Sequence, residues 1–355
     1  MKAYHSKIIE SLRTLLELKS LVRIRSRVQD IKLSLEAKSQ ETHGVQKKTT
    51  NTKAIEKKST YVLGELTQIH NARTIERAKY YIRRLVRALS ETKTGKVNDL
   101  NLRRWKEYDD ILTDSLWILK KRDTGGAHSG RYWGNFIPQI PNQLLRRYTK
   151  KGEWVLDTFL GSGTTLIESK RLGRHGVGVE LQRTVAASAE TSIEQELSLD
   201  PTRTEIIVGD SSTLNFQSEL KQRNINGVQF LLMHPPYWDI IKFSKDKRDL
   251  SNAKSIDEFL FQFGKIVDAT YPLLDKGRYF ALVIGDKYSH GQWVPLGFYT
   301  MQEVLKRGYL LKSLIIKNFE DTKGKRNQKE LWRYRALAGG FYIFKHEYIF
   351  LFKKE

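Results

Sequence analysis

The sequence predicts an α/β protein with an open, mostly parallel sheet, preceded by a basic helical domain. Three observations predict it. Short apolar runs end in polar residues: Trp154-Val155-Leu156 before Asp157, Gly176 to Val179 before Glu180, and Val228 to Met233 before His234. A glycine turn, Gly161-Ser162-Gly163-Thr164-Thr165, and a helical segment join the first two runs. Strand, glycine turn, helix, strand and acid is the grammar of a nucleotide-binding unit. Upstream of residue 126 the apolar residues instead recur at three- and four-residue steps.

Taken in order, residues 1–40 read as one long helix, with Ile8, Leu12, Leu15, Val22, Val28 and Leu35 on its apolar side. Residues 41–60 are polar and rich in Lys and Thr, and are expected to form a linker or mobile arm. Tyr61 to Ser90 is a second helix, with Arg73, Arg77, Lys79, Arg83, Arg84 and Arg87 on a basic face. Asn98 to Lys121 is expected to be helical again. Asp123-Thr124-Gly125-Gly126 marks a boundary, giving residues 1–125 to a basic helical domain and 126–355 to the α/β domain. The helical domain holds more than half of the positive excess, and is expected to serve DNA recognition or dimerisation.

In the second domain, helices are expected at 142–148, 184–197 and 257–274, and strands at 205–208 and 278–284. Residues 310–318 and 341–352 alternate as paired strands. The total is seven strands, mostly parallel, closed by an antiparallel hairpin. Between the last two strands lies an insertion carrying Lys323, Lys325, Arg326, Lys329, Arg333 and Arg335 with Trp332 and Tyr334. Long insertions between paired strands carry function more often than structure, and these cations suit DNA phosphates.

The chain has 355 residues, a net charge of +22 and a sequence pI near 9.8. Such an excess suggests a polyanion, and the interleaved aromatics favour nucleic acid over an anionic membrane. No apolar run is long enough to span a bilayer and no signal core opens the sequence, so a cytoplasmic protein is expected. The chain contains no cysteine. Disulfides, thiolate zinc sites and a cysteine nucleophile are therefore excluded, and with them methylation of cytosine C5 by its usual covalent route.

The glycine turn admits three ligand classes. A P-loop needs Gly-Lys-Ser/Thr at its end, and none follows. A dinucleotide fold needs a third glycine after Gly163, and it is missing. S-adenosylmethionine remains, a cationic sulfonium without phosphate. Asp157 suits a cation and would repel a pyrophosphate, and Glu180 can accept hydrogen bonds from ribose hydroxyls.

The third apolar run leads into His234-Pro235-Pro236-Tyr237-Trp238. With Asp157-Thr158-Phe159-Leu160-Gly161-Ser162-Gly163 upstream, this resembles the DNA amino-methyltransferases, which methylate cytosine N4 or adenine N6. The resemblance covers residues 128 to 355. It implies a Rossmann-like class I methyltransferase fold, S-adenosylmethionine as cofactor and double-stranded DNA as partner. A homodimer and a restriction- or defence-system partner stay open. It places Phe136 and Ile137 at the methionine end of the cofactor, and Phe159, Gly161, Ser162, Gly163 and Thr164 around it. Asp210 and Ser211 would lie at its adenine. His234, Pro235, Pro236 and Tyr237 would form the catalytic motif, with Trp238 and the insertion cations on DNA. The family has Asp, Asn or Ser where this chain has His234. The Tyr-Trp pair looks more like the cytosine-N4 enzymes.

Overall fold

The computed structural model describes residues 2–43, 50–130, 132–289, 291–319 and 329–355. The chain forms two compact units, residues 1–96 with 100–111, and residues 97–99 with 112–355.

The first unit is helical. It contains α1 (Lys2–Thr14), α2 (Leu21–His43), α3 (Thr50–His70) and α4 (Ile75–Ser90). The single helix expected over residues 1–40 is thus interrupted. Leu18 turns extended with ψ 136°, and the Ser20 hydroxyl accepts from the Arg23 amide at the start of α2. Local capping overrides the apolar repeat there. Residues 50–60, expected in a linker, begin α3, whereas 44–49 lie outside the described residues. Leu12, Ile24, Val28, Leu66, Ile69 and Ile82 form the core. Buried Glu65 accepts from Arg84 at 2.5 Å and Lys106 at 2.8 Å. The third expected helix is absent from the described residues. Asn101 caps a 3-10 turn, Leu102–Glu107, and Leu116–Trp117 becomes strand β1 of the second unit, where Trp117 is buried.

The second unit is built on an eight-stranded sheet. Its further strands are β2 (Trp154–Asp157), β3 (His175–Glu180), β4 (Thr204–Val208), β5 (Val228–Met233), β6 (Leu274–Ile284), β9 (Tyr309–Asn318) and β10 (His346–Lys354); β7 (Lys287–Ser289) and β8 (Gln292–Val294) form a separate hairpin. The order across the sheet is β1-β9-β10-β6-β5-β2-β3-β4. Strands β4, β3, β2, β5 and β6 are parallel, and β10 runs antiparallel between β6 and β9. This is the α/β, Rossmann-like arrangement expected, with β1 as an added two-residue edge. The last strand starts at His346 rather than 341, and the stretch 341–345 carries no strand.

Strand side chains alternate between two apolar layers. Phe230, Leu232, Ala281 and Val283 meet Ile140 and Leu144 of α5 (Gln139–Tyr148). Leu231, Met233, Phe280, Leu282 and Ile284 meet Phe259, Phe263 and Ile266 of α9 (Ile256–Thr270) and Leu296 and Val304 of α10 (Leu296–Leu305). Leu166 and Ile167 of α6 (Thr164–Arg171) pack on Ala189 and Ile193 of α7 (Arg183–Gln195). A short helix, α8 (Phe216–Gln222), precedes β5. The insertion holds helix α11 (Lys329–Gly339). Among the described residues, no helix is long and apolar enough to cross a membrane.

Candidate active site at the strand ends

The parallel strands deliver their polar termini to one edge of the sheet, the place where open α/β folds bind ligands. Strand β2 ends in Asp157, which is 1% exposed. Its Oδ1 accepts from the Phe159 amide at 2.9 Å and its Oδ2 from the Thr165 hydroxyl at 2.5 Å. Burial pushes its carboxyl up to about 6, against the effect of those hydrogen bonds. Asp157 thus organises the glycine turn, with both oxygens engaged inside it.

The turn itself requires glycine. Gly161 and Gly163 have φ of +53° and +83°. A Cβ on Gly163 would stand 3.1 Å from Ile193 Cδ1, and one on Gly161 would stand 3.1 Å from the Tyr132 ring. Glu180 ties the turn to the end of β3: its Oε2 accepts from the Gly161 amide at 3.0 Å and its Oε1 from the Gln182 amide at 2.9 Å. Burial raises its carboxyl above the ordinary range, opposed by those amides and reinforced by Asp249. Thr164 donates to Asn135 Oδ1 at 2.7 Å, linking the turn to the segment before α5. After β4, Asp210 accepts from the Ser212 amide at 2.8 Å, and Ser211 donates to the Thr158 carbonyl at 2.7 Å. The buried Ser162 Oγ and Thr158 Oγ1 have no hydrogen-bond partner among the described residues. Buried hydroxyls are seldom left so, and two at one strand end mark a place for a polar ligand. The donors and acids of this edge therefore fit a nucleoside-bearing cofactor.

The second half of the site follows β5. Pro235 is buried; His234, Pro236 and Tyr237 are half-buried. The His234 ring lies 4.8 Å from that of Phe136 and 5.6 Å from that of Tyr237. Phe136, read as a cofactor contact, thus lies against the second motif while its neighbour Asn135 holds Thr164 of the first, and Ile137 packs on the core below α5. His234 Nε2 stands 3.3 Å from the Tyr237 hydroxyl, which donates to Glu347 Oε2 at 2.7 Å. Glu347 Oε1 also pairs with Lys317 Nζ at 3.0 Å. Burial pushes the His234 imidazolium down to about 4, with Glu347 opposing and Lys317 adding to the fall. The imidazole is therefore neutral near pH 7. Tyr237 packs against Gly285, whose added Cβ would lie 2.8 Å from Cε2 of the ring.

Trp238, expected on DNA, is fixed by its neighbours. Its φ is +51°, its indole donates to the Ala253 carbonyl at 2.9 Å, and the Lys287 ammonium sits 4.2 Å from its ring centroid. Arg333 and Arg335 lie on α11, with Arg335 over the Trp332 ring, whereas Lys323, Lys325 and Arg326 are outside the described residues. A cavity of about 580 Å³ lies between α11 and the segment before β10, lined by Trp332, Arg333, Leu337, Phe341, Tyr342 and Lys345 among others.

Sequence reading missed Glu347, Lys317, Gly285 and Tyr132. A signal existed for the first two: each is a charge flanking an apolar run, Leu314-Ile315-Ile316 before Lys317 and Tyr348 to Phe352 after Glu347. Pairing them needs the β9–β10 register, in which they face each other. No cluster of three or more potential metal ligands occurs among the described residues.

A family model described as a DNA methylase matches residues 37–191. This range holds the glycine turn and Glu180 and ends before His234. The Type II methyltransferase M2.DpnII of Streptococcus pneumoniae is 35% identical over 95 residues, covering 26% of this chain and 32% of that protein. M.MthZI of Methanothermobacter thermautotrophicus is 38% identical over 99 residues, 27% of each chain. M.MjaII of Methanocaldococcus jannaschii is 29% identical over 91 residues, 26% of this chain and 16% of that one. The aligned stretches span less than a third of each of these relatives. The solved structure of TrmN from Thermus thermophilus aligns over 62% of this chain and 49% of that one, with 18% identity and a TM-score of 0.40, too distant to bear on function. Over these stretches the chain is similar to DNA methyltransferases, the family its motifs resemble.

Proposed function

We propose that this protein transfers a methyl group from S-adenosylmethionine to the exocyclic amine of a base flipped out of double-stranded DNA, with cytosine N4 favoured over adenine N6. The observation that carries the reading is the meeting of the two motifs: Phe136, from the segment before the glycine turn, rests on His234 of the Pro-Pro-Tyr motif. The Tyr-Trp pair at 237–238 supports cytosine. The bound cofactor supplies an electrophilic methyl group. Around it, Glu180 would hold the ribose, Asp210 the adenine amine, and Ser162 and Thr158 would find polar partners.

A base amine is a poor nucleophile because its lone pair is delocalised into the ring. An acceptor on the amine hydrogens favours the pyramidal nitrogen whose lone pair can attack. Neutral His234 and the Pro235 carbonyl serve as acceptors, and Tyr237 offers its ring face to the flipped base. Holding the amine in line makes orientation a large part of the rate. The helical unit and α11 would bind the duplex; on α4, Arg77 stacks on Tyr80 and Tyr81 in a basic, aromatic surface suited to phosphates and sugars.

The decisive test is mass spectrometry of nucleosides from duplex DNA incubated with the protein and isotope-labelled methyl donor. Labelled N4-methylcytosine is expected. Labelled N6-methyladenine would reassign the base, and no labelled base would refute the reading. Two further results are expected. Glu180→Ala should weaken methyl-donor binding at least tenfold, about 1.4 kcal/mol; unchanged affinity by calorimetry would remove Glu180 from the ribose. DNA affinity should fall steeply with salt as Lys and Arg displace counterions. The Arg333→Ala/Arg335→Ala double variant should lower that log–log slope by about two, one for each lost phosphate contact. An unaltered slope would take α11 off the DNA.

A further inference from the structure

We propose that Glu347 is a positioning residue: anchored by Lys317, it acts through Tyr237 to fix the His234 tautomer that leaves Nδ1 as a hydrogen-bond acceptor. The inference rests on the reading of His234 as the amine's acceptor. It begins with the place of the ion pair. Glu347 and Lys317 are each 5% exposed and directly opposite in the β10–β9 register. A buried pair of this kind is seldom a gain in stability over apolar side chains of similar size. The neighbouring residues Ile349 and Ile315 show that such side chains fit these strands.

The pair does impose directions on protons. A carboxylate joined to an ammonium has lone pairs only. At 2.7 Å, the single proton of the Tyr237 hydroxyl must therefore point to Glu347. The Tyr237 oxygen then offers His234 only lone pairs, so at 3.3 Å the Nε2 position carries the hydrogen. A neutral imidazole has one N–H, and Nδ1 keeps its lone pair. The result reproduces with histidine what the family obtains from Asp, Asn or Ser: an acceptor at this position. Lys317 anchors the remote carboxylate at 3.0 Å, and Phe136, the other ring against His234, carries no charge to oppose it.

The test is nitrogen-15 NMR of the full chain labelled in histidine, with His234→Asn used to assign the resonance. Wild type is expected to show hydrogen on Nε2 and a bare Nδ1. Glu347→Gln, whose amide can also donate, should lose this bias and slow single-turnover methylation about a hundredfold, within the range of general acid–base effects. Its methyl-donor affinity by calorimetry should not change. Should that variant fail to fold, the apolar Lys317→Met/Glu347→Leu double variant provides the same comparison. A wild-type imidazole protonated at Nδ1, or a double variant with unaltered tautomer and rate, would overturn the proposal. If wild type methylates no DNA, the proposed function fails, and the NMR result still decides the tautomer.

Discussion

His234→Ala is expected to lose methyl transfer by about a hundredfold or more in single turnover, the scale of a lost proton-acceptor group. His234→Asn, which keeps an acceptor, should retain part of the rate. The pH profile sharpens the expectation. Burial lowers the imidazolium from its ordinary value near 6.5 to about 4. A group with a lowered pKa releases its proton earlier as pH rises, so the neutral, accepting form is complete well below neutrality. Its contribution should be constant from about pH 8 to about 5.5 and disappear only as pH falls through about 4. Asp157, pushed up to about 6, titrates inside that window. The ratio of wild-type to His234→Asn rates cancels its effect, since both proteins carry it. A ratio that halves near pH 6.5 would show an ordinary, solvated histidine, and a His234→Ala enzyme with the wild-type rate would show that the Pro235 carbonyl and Tyr237 suffice.

The second large effect is expected at Gly285. An added methyl would lie 2.8 Å from the Tyr237 ring. That ring cannot simply retreat, because its hydroxyl is hydrogen-bonded to Glu347 at 2.7 Å. Gly285 does not have the left-handed backbone that other residues avoid. Gly285→Ala should therefore fold, with its strain confined to the Tyr237 ring, the proposed platform for the base. A displacement near 1 Å in such a site can cost about a hundredfold in rate. Single-turnover methylation is the measurement, with thermal unfolding as the control. A normal rate would mean that Tyr237 does not position the base; a collapsed melting temperature would place the clash in the core instead.

Much of this site was legible in the sequence because its parts are local. The Asp157 to Thr165 turn, Glu180 and the His234 to Trp238 motif are short strings in which each residue's task depends on near neighbours. The parallel strands were legible for a similar reason, since strands buried on both faces read as continuous apolar runs. Failures arose where distant contacts decided. Trp117 looked helical by its spacing, but it is buried against the sheet beside β9. Residues 341–345 share the aromatic content of β10, yet Phe344 stacks on Tyr288 of the separate hairpin and Phe341 tilts against the same ring. Asp157, read as an electrostatic partner for a cation, also accepts from its near neighbours Phe159 and Thr165. Glu347 could not be linked to His234 from spacing alone, since 113 positions separate them in the chain and only the β10 register closes that distance.

The position of β10 also sets an order of events during synthesis. It follows every other strand in the sequence, yet it lies between β6 and β9. A nascent chain that has already emerged through the glycine turn and the Pro-Pro-Tyr motif still lacks the strand that joins β9 to the sheet. Its β6 edge stays open, Tyr237 has no carboxylate to meet, and the ladder depends on slow, long-range pairing. The ribosome-bound protein would therefore hold a formed cofactor edge with an unfinished transfer site. The site waits for β10, and an open hydrophobic edge until then makes this interval the one most exposed to misassociation.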